Sequence, residues 1–253
     1  MVYFVGAGPG DKELITVKGF RLLSNADSVI YAGSLVNKEL LDYTKKDCEL
    51  YDSANMTLEE VFDVIKSNEE NKKNYMTVRL HTGDPSIYGA IREQIDLLLQ
   101  NDISYEVVPG VSSFLGAAAS MGVEYTLPGV SQTVILTRLE GRTPVPETEK
   151  IELLAKARAS MVIFLSAGML KELSDKLIEG GYAKDTPAAI VYKATWADEK
   201  IIKTTIQDLA ETGGDIKKTA LILVGGFLGD AYERSLLYHP EFTHGFRKGK
   251  TDE

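Results

Sequence analysis

Two α/β domains are what this 253-residue sequence predicts, the first built on a mostly parallel sheet and the second on a mixed one. Three observations lead there. Short β-branched runs ending in glycine or turn residues alternate with helical patterns through the first half. Beyond a small-residue helix near residue 113 the strands crowd together. Two of these later strands are separated by too few residues for a crossover helix, so they form a hairpin. The domains are assigned to residues 1–112 and 113–253, the change of character falling within 112–130 without a disordered linker.

The elements follow in order. VYFVGA, DSVIYAG, MTVRLHTG and SYEVVPG read as four strands, each closed by a turn residue. TLEEVFDVIKS places Leu58, Val61, Phe62 and Ile65 at helical spacing with charges opposite. IYGAIREQIDLLLQND does the same with Ile87, Ile91, Ile95 and Leu98. Strand–helix–strand alternation implies parallel strands covered by helices. PGVSSFLGAAASMG is the small-residue helix. After it, QTVILTR, MVIFLSAG, PAAIVYKA, DEKIIKTTI and TALILVGG read as five more strands, with MLKELSDKLIEGG a helix among them. The tail HGFRKGKTDE is polar and is expected to fray.

Composition narrows the function. Hydrophobic residues make up 44% and charged residues 26%, which suits a globular chain with a real core. Lys and Arg number 28 against 37 Asp and Glu, a net charge of −9, which argues against a nucleic-acid partner. An acidic small molecule is still allowed, since a few arginines in one cleft override the global field. The single cysteine, Cys48, permits no internal disulfide, and His81, His239 and His244 are too scattered for a metal site. No apolar run reaches the roughly 18 residues a membrane helix needs, and no signal segment opens the chain, so a cytoplasmic protein is expected.

The opening VYFVGAGPGDKELITVKG is a strand running into a glycine loop, which raises the question of a dinucleotide. The Rossmann fingerprint needs G-x-G-x-x-G and an acidic residue about 20 positions on, at the end of the second strand. Gly6 and Gly8 fit, but Asp11 stands where the third glycine is required, and Gly10 comes one residue early. Asp27 lies at the wrong end of the second strand. Pro9 removes an amide that a pyrophosphate would use, and Asp11 would repel it. The dinucleotide reading fails, and no Walker lysine motif replaces it. The loop is built for close backbone approach to something not strongly anionic.

Two further loops share that strand edge. RLHTGDPSIYG carries Gly83-Asp84-Pro85, with Asp84 held extended before the proline and Ser86 placed to cap the next helix. VVPGVSSFLG offers the Ser112 and Ser113 hydroxyls at a helix start. Alone, each reads equally well as a plain turn or cap. Three such loops at successive strand ends form a constellation.

VGAGPGDKELITVKG, LHTGDPSIYG and VVPGVSS, in that order and spacing, strongly resemble the tetrapyrrole (corrin/porphyrin) methylases, and the resemblance covers nearly the whole chain. It implies the two-domain tetrapyrrole methylase fold, a non-Rossmann methyltransferase working as a homodimer. The implied cofactor is S-adenosyl-L-methionine, in the cleft between the domains, with S-adenosyl-L-homocysteine as product. By the resemblance Pro9, Gly83, Asp84, Ile87, Ser112 and Ser113 bind the cofactor. Leu165 matches an apolar cofactor position and Ala194 the small residue beside the adenine. Within the family QTVILTRLEGRTPVPE, with YAGSLV, resembles the branch that methylates carbon 11 of a cobalt-bearing or metal-free corrin precursor. Tyr31-Ala32-Gly33 replaces the acidic motif of the uroporphyrinogen methylases, and the acidic balance disfavours the RNA-modifying branch.

The implied substrate, an anionic tetrapyrrole, needs cations. Arg138 and Arg142 are the candidate carboxylate clamps, because guanidinium pairs bidentately. Tyr31 and Ser34 are candidate macrocycle contacts, though Tyr31 serves packing equally well. His81, just before Gly83, is placed to touch the substrate or cobalt, but reads better as a satisfied structural histidine. No residue is assigned as general base. Another precorrin methylase of the same pathway, or a binding module without turnover, remains the alternative reading.

Overall fold

The computed structural model describes residues 1–71 and 74–249. They pack as two units, residues 1–120 together with 193–199, and residues 121–192 together with 200–253. The small-residue helix, grouped with the second domain by the sequence reading, thus falls almost wholly in the first unit. So does a seven-residue excursion from the middle of the second.

The first unit holds five strands: β1 (Val2–Gly6), β2 (Ser28–Tyr31), β3 (Glu49–Asp52), β4 (Thr77–His81) and β5 (Tyr105–Val108). Their order is β3-β2-β4-β1-β5, and every pairing is parallel. Helix α1 (Val17–Asn25) follows β1, α2 (Leu58–Asn71) follows β3, α3 (Ile91–Gln100) follows β4 and α4 (Ser113–Met121) follows β5. Covered on both faces, the central strands β2, β4 and β1 are buried almost throughout. Tyr3 and Val5 join Leu23 of α1, Val29, Val78 and Leu80 on one face. Val2 and Phe4, offset by the two-residue strand period, join Val61 and Ile65 of α2 and Leu98 of α3 on the other.

All four strands read from the first half are present. Strand β3 escaped notice because Glu49, Leu50 and Asp52 are exposed at the sheet edge, leaving no alternation to detect. Helix α1 was hidden by Gly19 at its centre. The missing side chain is what lets α1 close on the sheet, since a Cβ there would lie 3.0 Å from Val5 Cγ1. One expectation is corrected. Ser86 caps no helix, because the chain first makes a turn in which Tyr88 and Ala90 take φ of 54° and 48°, and α3 begins only at Ile91.

The second unit carries β6 (Val134–Arg138), α5 (Ile151–Leu154), β7 (Ser160–Phe164), α6 (Leu170–Glu179), β8 (Pro187–Tyr192), β9 (Lys200–Thr205), α7 (Leu209–Thr212) and β10 (Ala220–Val224). The strand order is β6-β7-β10-β8-β9. Only β6 and β7 run parallel, and β8 pairs antiparallel with β9, as the hairpin reading requires. Leu170, Leu173 and Leu177 of α6 bury one helical stripe against Met161, Ile163, Ile190 and Ile222. Among the described residues no helix is long and apolar enough to cross a membrane. The part of the tail seen here is turned rather than frayed, with Arg247 donating to the Leu237 and His239 carbonyls. Lys250 and residues 251–253 lie outside the described residues.

Phe4 is fully buried beneath α2 and α3, with Tyr105 edge-on at 6.2 Å. Phe4→Ala is expected to cost about 3–5 kcal/mol, read as a lower denaturation midpoint with unchanged slope. A loss below about 1 kcal/mol would mean that the site collapses freely.

Candidate functional site

Strands β4, β1 and β5 are neighbours in a parallel sheet, so the loops leaving their carboxyl ends must meet. They do so backbone to backbone. The Ala7 amide donates to the His81 carbonyl at 2.7 Å, and Gly8 and Gly83 form an antiparallel bridge, Gly83 N to Gly8 O being 2.8 Å. Gly83 needs its hydrogen side chain, because its φ is +61°. The three loops leave no room for side chains: a Cβ on Gly6 would stand 2.5 Å from Gly110 Cα, and one on Gly110 only 2.2 Å from the Gly83 carbonyl oxygen.

Asp84 ties the second loop to the third. Its Oδ2 accepts from the Gly110 amide at 2.8 Å, and its Oδ1 accepts from the Ser86 amide at 2.8 Å and from the Ser86 hydroxyl. Partial burial alone would raise the carboxyl pKa. The Ser86 hydroxyl and the two backbone amides outweigh it and hold the group below the usual carboxylate range. Ser112 is buried, and its carbonyl opens α4 by accepting from Leu115 and Gly116. Ser113 and Ile87 are half-buried beside it and across the turn.

A fourth piece completes this edge, and only part of it was legible beforehand. Residues 193–199 lie on the first loop within the same unit. Trp196 Nε1 donates to the Pro9 carbonyl at 3.1 Å, and the Asp11 amide donates to Thr195 Oγ1 at 3.0 Å. Ala194 is buried, its carbonyl 2.8 Å from where a Gly10 Cβ would sit. Asn37, also unremarked in the sequence, donates from Nδ2 to the Gly10 carbonyl at 2.9 Å. Seven of the eight expected cofactor residues, Pro9, Gly83, Asp84, Ile87, Ser112, Ser113 and Ala194, therefore stand on these four segments. The eighth, Leu165, lies in the second unit at the end of β7. There it is 69% exposed with φ of 54°.

The expected substrate contacts divide. Tyr31 is a member of the core cluster and 9% exposed, whereas Ser34 is exposed on the turn after β2. Arg138 is occupied at home, donating to the Thr143 carbonyl at 3.1 Å and the Pro144 carbonyl at 2.6 Å. It braces the loop that carries the exposed Arg142. His81 departs from its reading as a satisfied histidine. It is buried, yet its Nε2 has no hydrogen-bond partner.

The fold and this strand edge define a class: an α/β protein whose cradle is made of glycines, small side chains and backbone, with carboxylates at Asp11 and Asp84. That inventory suits a neutral or cationic small molecule and not a pyrophosphate. Comparison with known proteins agrees. Residues 1–210 match the tetrapyrrole (corrin/porphyrin) methylases, and the chain belongs to that family. It is 56% identical over 251 residues, 98% of this chain and 96% of the relative, to the cobalt-precorrin-4 C(11)-methyltransferase of Methanocaldococcus jannaschii. The crystal structure of a cobalt precorrin-4 methyltransferase, a cobalamin biosynthetic enzyme, superposes with a TM-score of 0.87 at 47% identity, covering 90% of this chain and 96% of that one. A uroporphyrin-III C-methyltransferase from Thermus thermophilus in complex with S-adenosyl homocysteine gives a TM-score of 0.75 at 26% identity, covering 90% and 98%.

The Asp84 latch has a defined pH dependence. A carboxyl whose pKa is lowered by folding contributes stability that is full above its unfolded value of about 3.9 and is lost as pH falls through the lower folded value. Asp84→Asn should therefore lower Tm at neutral pH, and the gap to the wild type should close in acid below about pH 4. A gap that stays constant with pH would show that the charge on Asp84 is not what holds the loops.

Proposed function

We propose that this chain is an S-adenosyl-L-methionine-dependent methyltransferase that transfers a methyl group to carbon 11 of cobalt-precorrin-4 in cobalamin biosynthesis. The observation that carries the reading is the full-length likeness, cradle included, to a relative of that name. The donor set fits the cofactor. A sulfonium nucleoside has no phosphate, and the three loops offer it backbone groups, serine hydroxyls and carboxylates. The Thermus relative crystallised with the demethylated product supports the same choice.

When bound, the cofactor supplies an electrophilic methyl on a positively charged sulfur. The protein has to bind, align and keep water away, and alignment alone is worth several kcal/mol, about 7 or more in favourable cases. Gly83, Asp84, Ser112 and Ser113 form the polar floor, Pro9 and Ala194 present a surface fixed by Trp196, and Ile87 and Leu165 are the apolar contacts. Ser34 and Arg142 meet the macrocycle, Tyr31 and Arg138 holding the loops that carry them. The working form is a homodimer in the cytoplasm.

A mass-spectrometric turnover assay without oxygen tests this, offering cobalt-precorrin-4 and metal-free precorrin-4 in parallel. One added methyl at ring position 11, formed faster on the cobalt substrate, is the expected result. Faster methylation of the metal-free compound would change the substrate, and no methyl on either would sink the reading.

A further inference from the structure

Beneath the turn that follows β4 lies a cavity of about 280 Å³ that belongs wholly to the first unit. Its floor is a buried cation. Arg79, in the middle of β4, is 9% exposed. Its Nε donates to Gln94 Oε1 at 3.2 Å and its Nη1 to the Ile30 carbonyl at 3.2 Å. Gln94 is fixed in turn, donating to the Ala90 carbonyl at 2.9 Å. Among the described residues no carboxylate lies within ion-pairing distance of Arg79, and Glu93 sits at the exposed rim without reaching it. Burial accordingly pulls the guanidinium down to about 10.

His81 stands two residues along the same strand, so it points to the same face. It is 8% exposed and lines the cavity, and its Nε2 is the buried atom without a partner. Burial first, and the Arg79 charge second, push its pKa down to about 3, so it is a neutral imidazole. The turn above is tight and strained: Tyr88 and Ala90 both have positive φ, and a Cβ on Gly89 would lie 2.1 Å from the Pro85 carbonyl oxygen.

A buried charge without a counter-ion, beside a buried ring nitrogen without a partner, is an expensive arrangement for a fold to keep. Arg79 reaches the Ile30 carbonyl and the His81 ring lies 5.9 Å from that of Phe4, yet neither contact supplies a counter-ion or a partner for Nε2. Both are answered by one group: a carboxylate accepts from guanidinium and from an imidazole N–H together. The cavity is too small for a macrocycle and ample for one of its acidic side arms. We propose that Arg79 and His81 form a buried anion subsite, oriented by Gln94, that takes a single acetate or propionate arm of the tetrapyrrole and so sets the rotation of the ring over the cofactor cradle. This rests on the substrate class assigned above.

The test uses uroporphyrin III, a stable macrocycle carrying eight carboxylates, titrated against the whole chain by absorbance and fluorescence, with S-adenosylhomocysteine binding and Tm as controls. His81→Phe keeps an aromatic ring there and removes both ring nitrogens. It should weaken porphyrin binding about tenfold and leave S-adenosylhomocysteine binding unchanged. His81→Gln, which restores a donor, should recover part of the loss. Arg79→Met should weaken the porphyrin by roughly ten- to a hundredfold while Tm holds or rises, since an unpaired buried charge has been replaced by apolar volume. If that variant fails to fold, the two His81 variants decide alone. Wild-type porphyrin affinity in His81→Phe, or no porphyrin binding by the wild type, overturns the subsite. Failure of methyl transfer with this binding pattern intact would remove the proposed reaction and leave the subsite standing.

Discussion

The contact on which the first unit's site depends is made by two α-carbons with nothing between them. Gly6 ends β1 and Gly110 follows two residues after the adjacent parallel strand β5, and any side chain on either would occupy the other's backbone. Because they touch, the loop after β4 is drawn in to bridge Gly8 with Gly83, and Asp84 comes within reach of the Gly110 amide. The cradle is thus fixed by main-chain geometry, which varies less than side-chain rotamers do. A transfer that relies on alignment, more than on acid–base groups, is served by that kind of rigidity.

Much of this was readable in advance because glycine, proline and short polar side chains have narrow physical uses. The failed dinucleotide fingerprint carried as much information as a match would have. Asp11 in the third glycine position and Pro9 in place of a donor already indicated a cradle for something other than phosphate. Parallel strands announced themselves by the alternation of strands with helices, and the hairpin by the short distance from β8 to β9. What escaped did so for identifiable reasons. Strand β3 is an exposed edge without alternation, and α1 has a glycine where a helix former was expected. The turn at Tyr88–Ala90 interrupts a helical pattern whose apolar spacing is intact, so periodicity could not reveal it.

Side-chain roles were harder to read than loops. Arg138 was the candidate clamp because guanidinium pairs bidentately, yet its guanidinium is spent on the carbonyls of the loop that follows β6. Arg79, within the strand read from MTVRLHTG, is a buried cation with no carboxylate paired to it among the described residues. Sequence gives the identity of a charge and its element, while pairing is decided by residues such as Gln94 and Pro144 that carry no signal of their own. Trp196 is the sharpest case. Its indole clasps Pro9 from 187 positions away, and nothing local to either residue advertises the other.

That clasp has a consequence for how the chain is made. During synthesis the first 120 residues emerge with their sheet, helices and three loops in hand, but the piece that closes over Pro9 and Asp11 is not yet available. It arrives only after β8 has left the ribosome. Closing a loop of such length is entropically slow, so the last step in assembling this strand edge is a long-range one. A nascent or truncated chain can therefore be well folded over its first sheet and still lack a finished cradle. This edge is completed late, by seven residues borrowed from the other half.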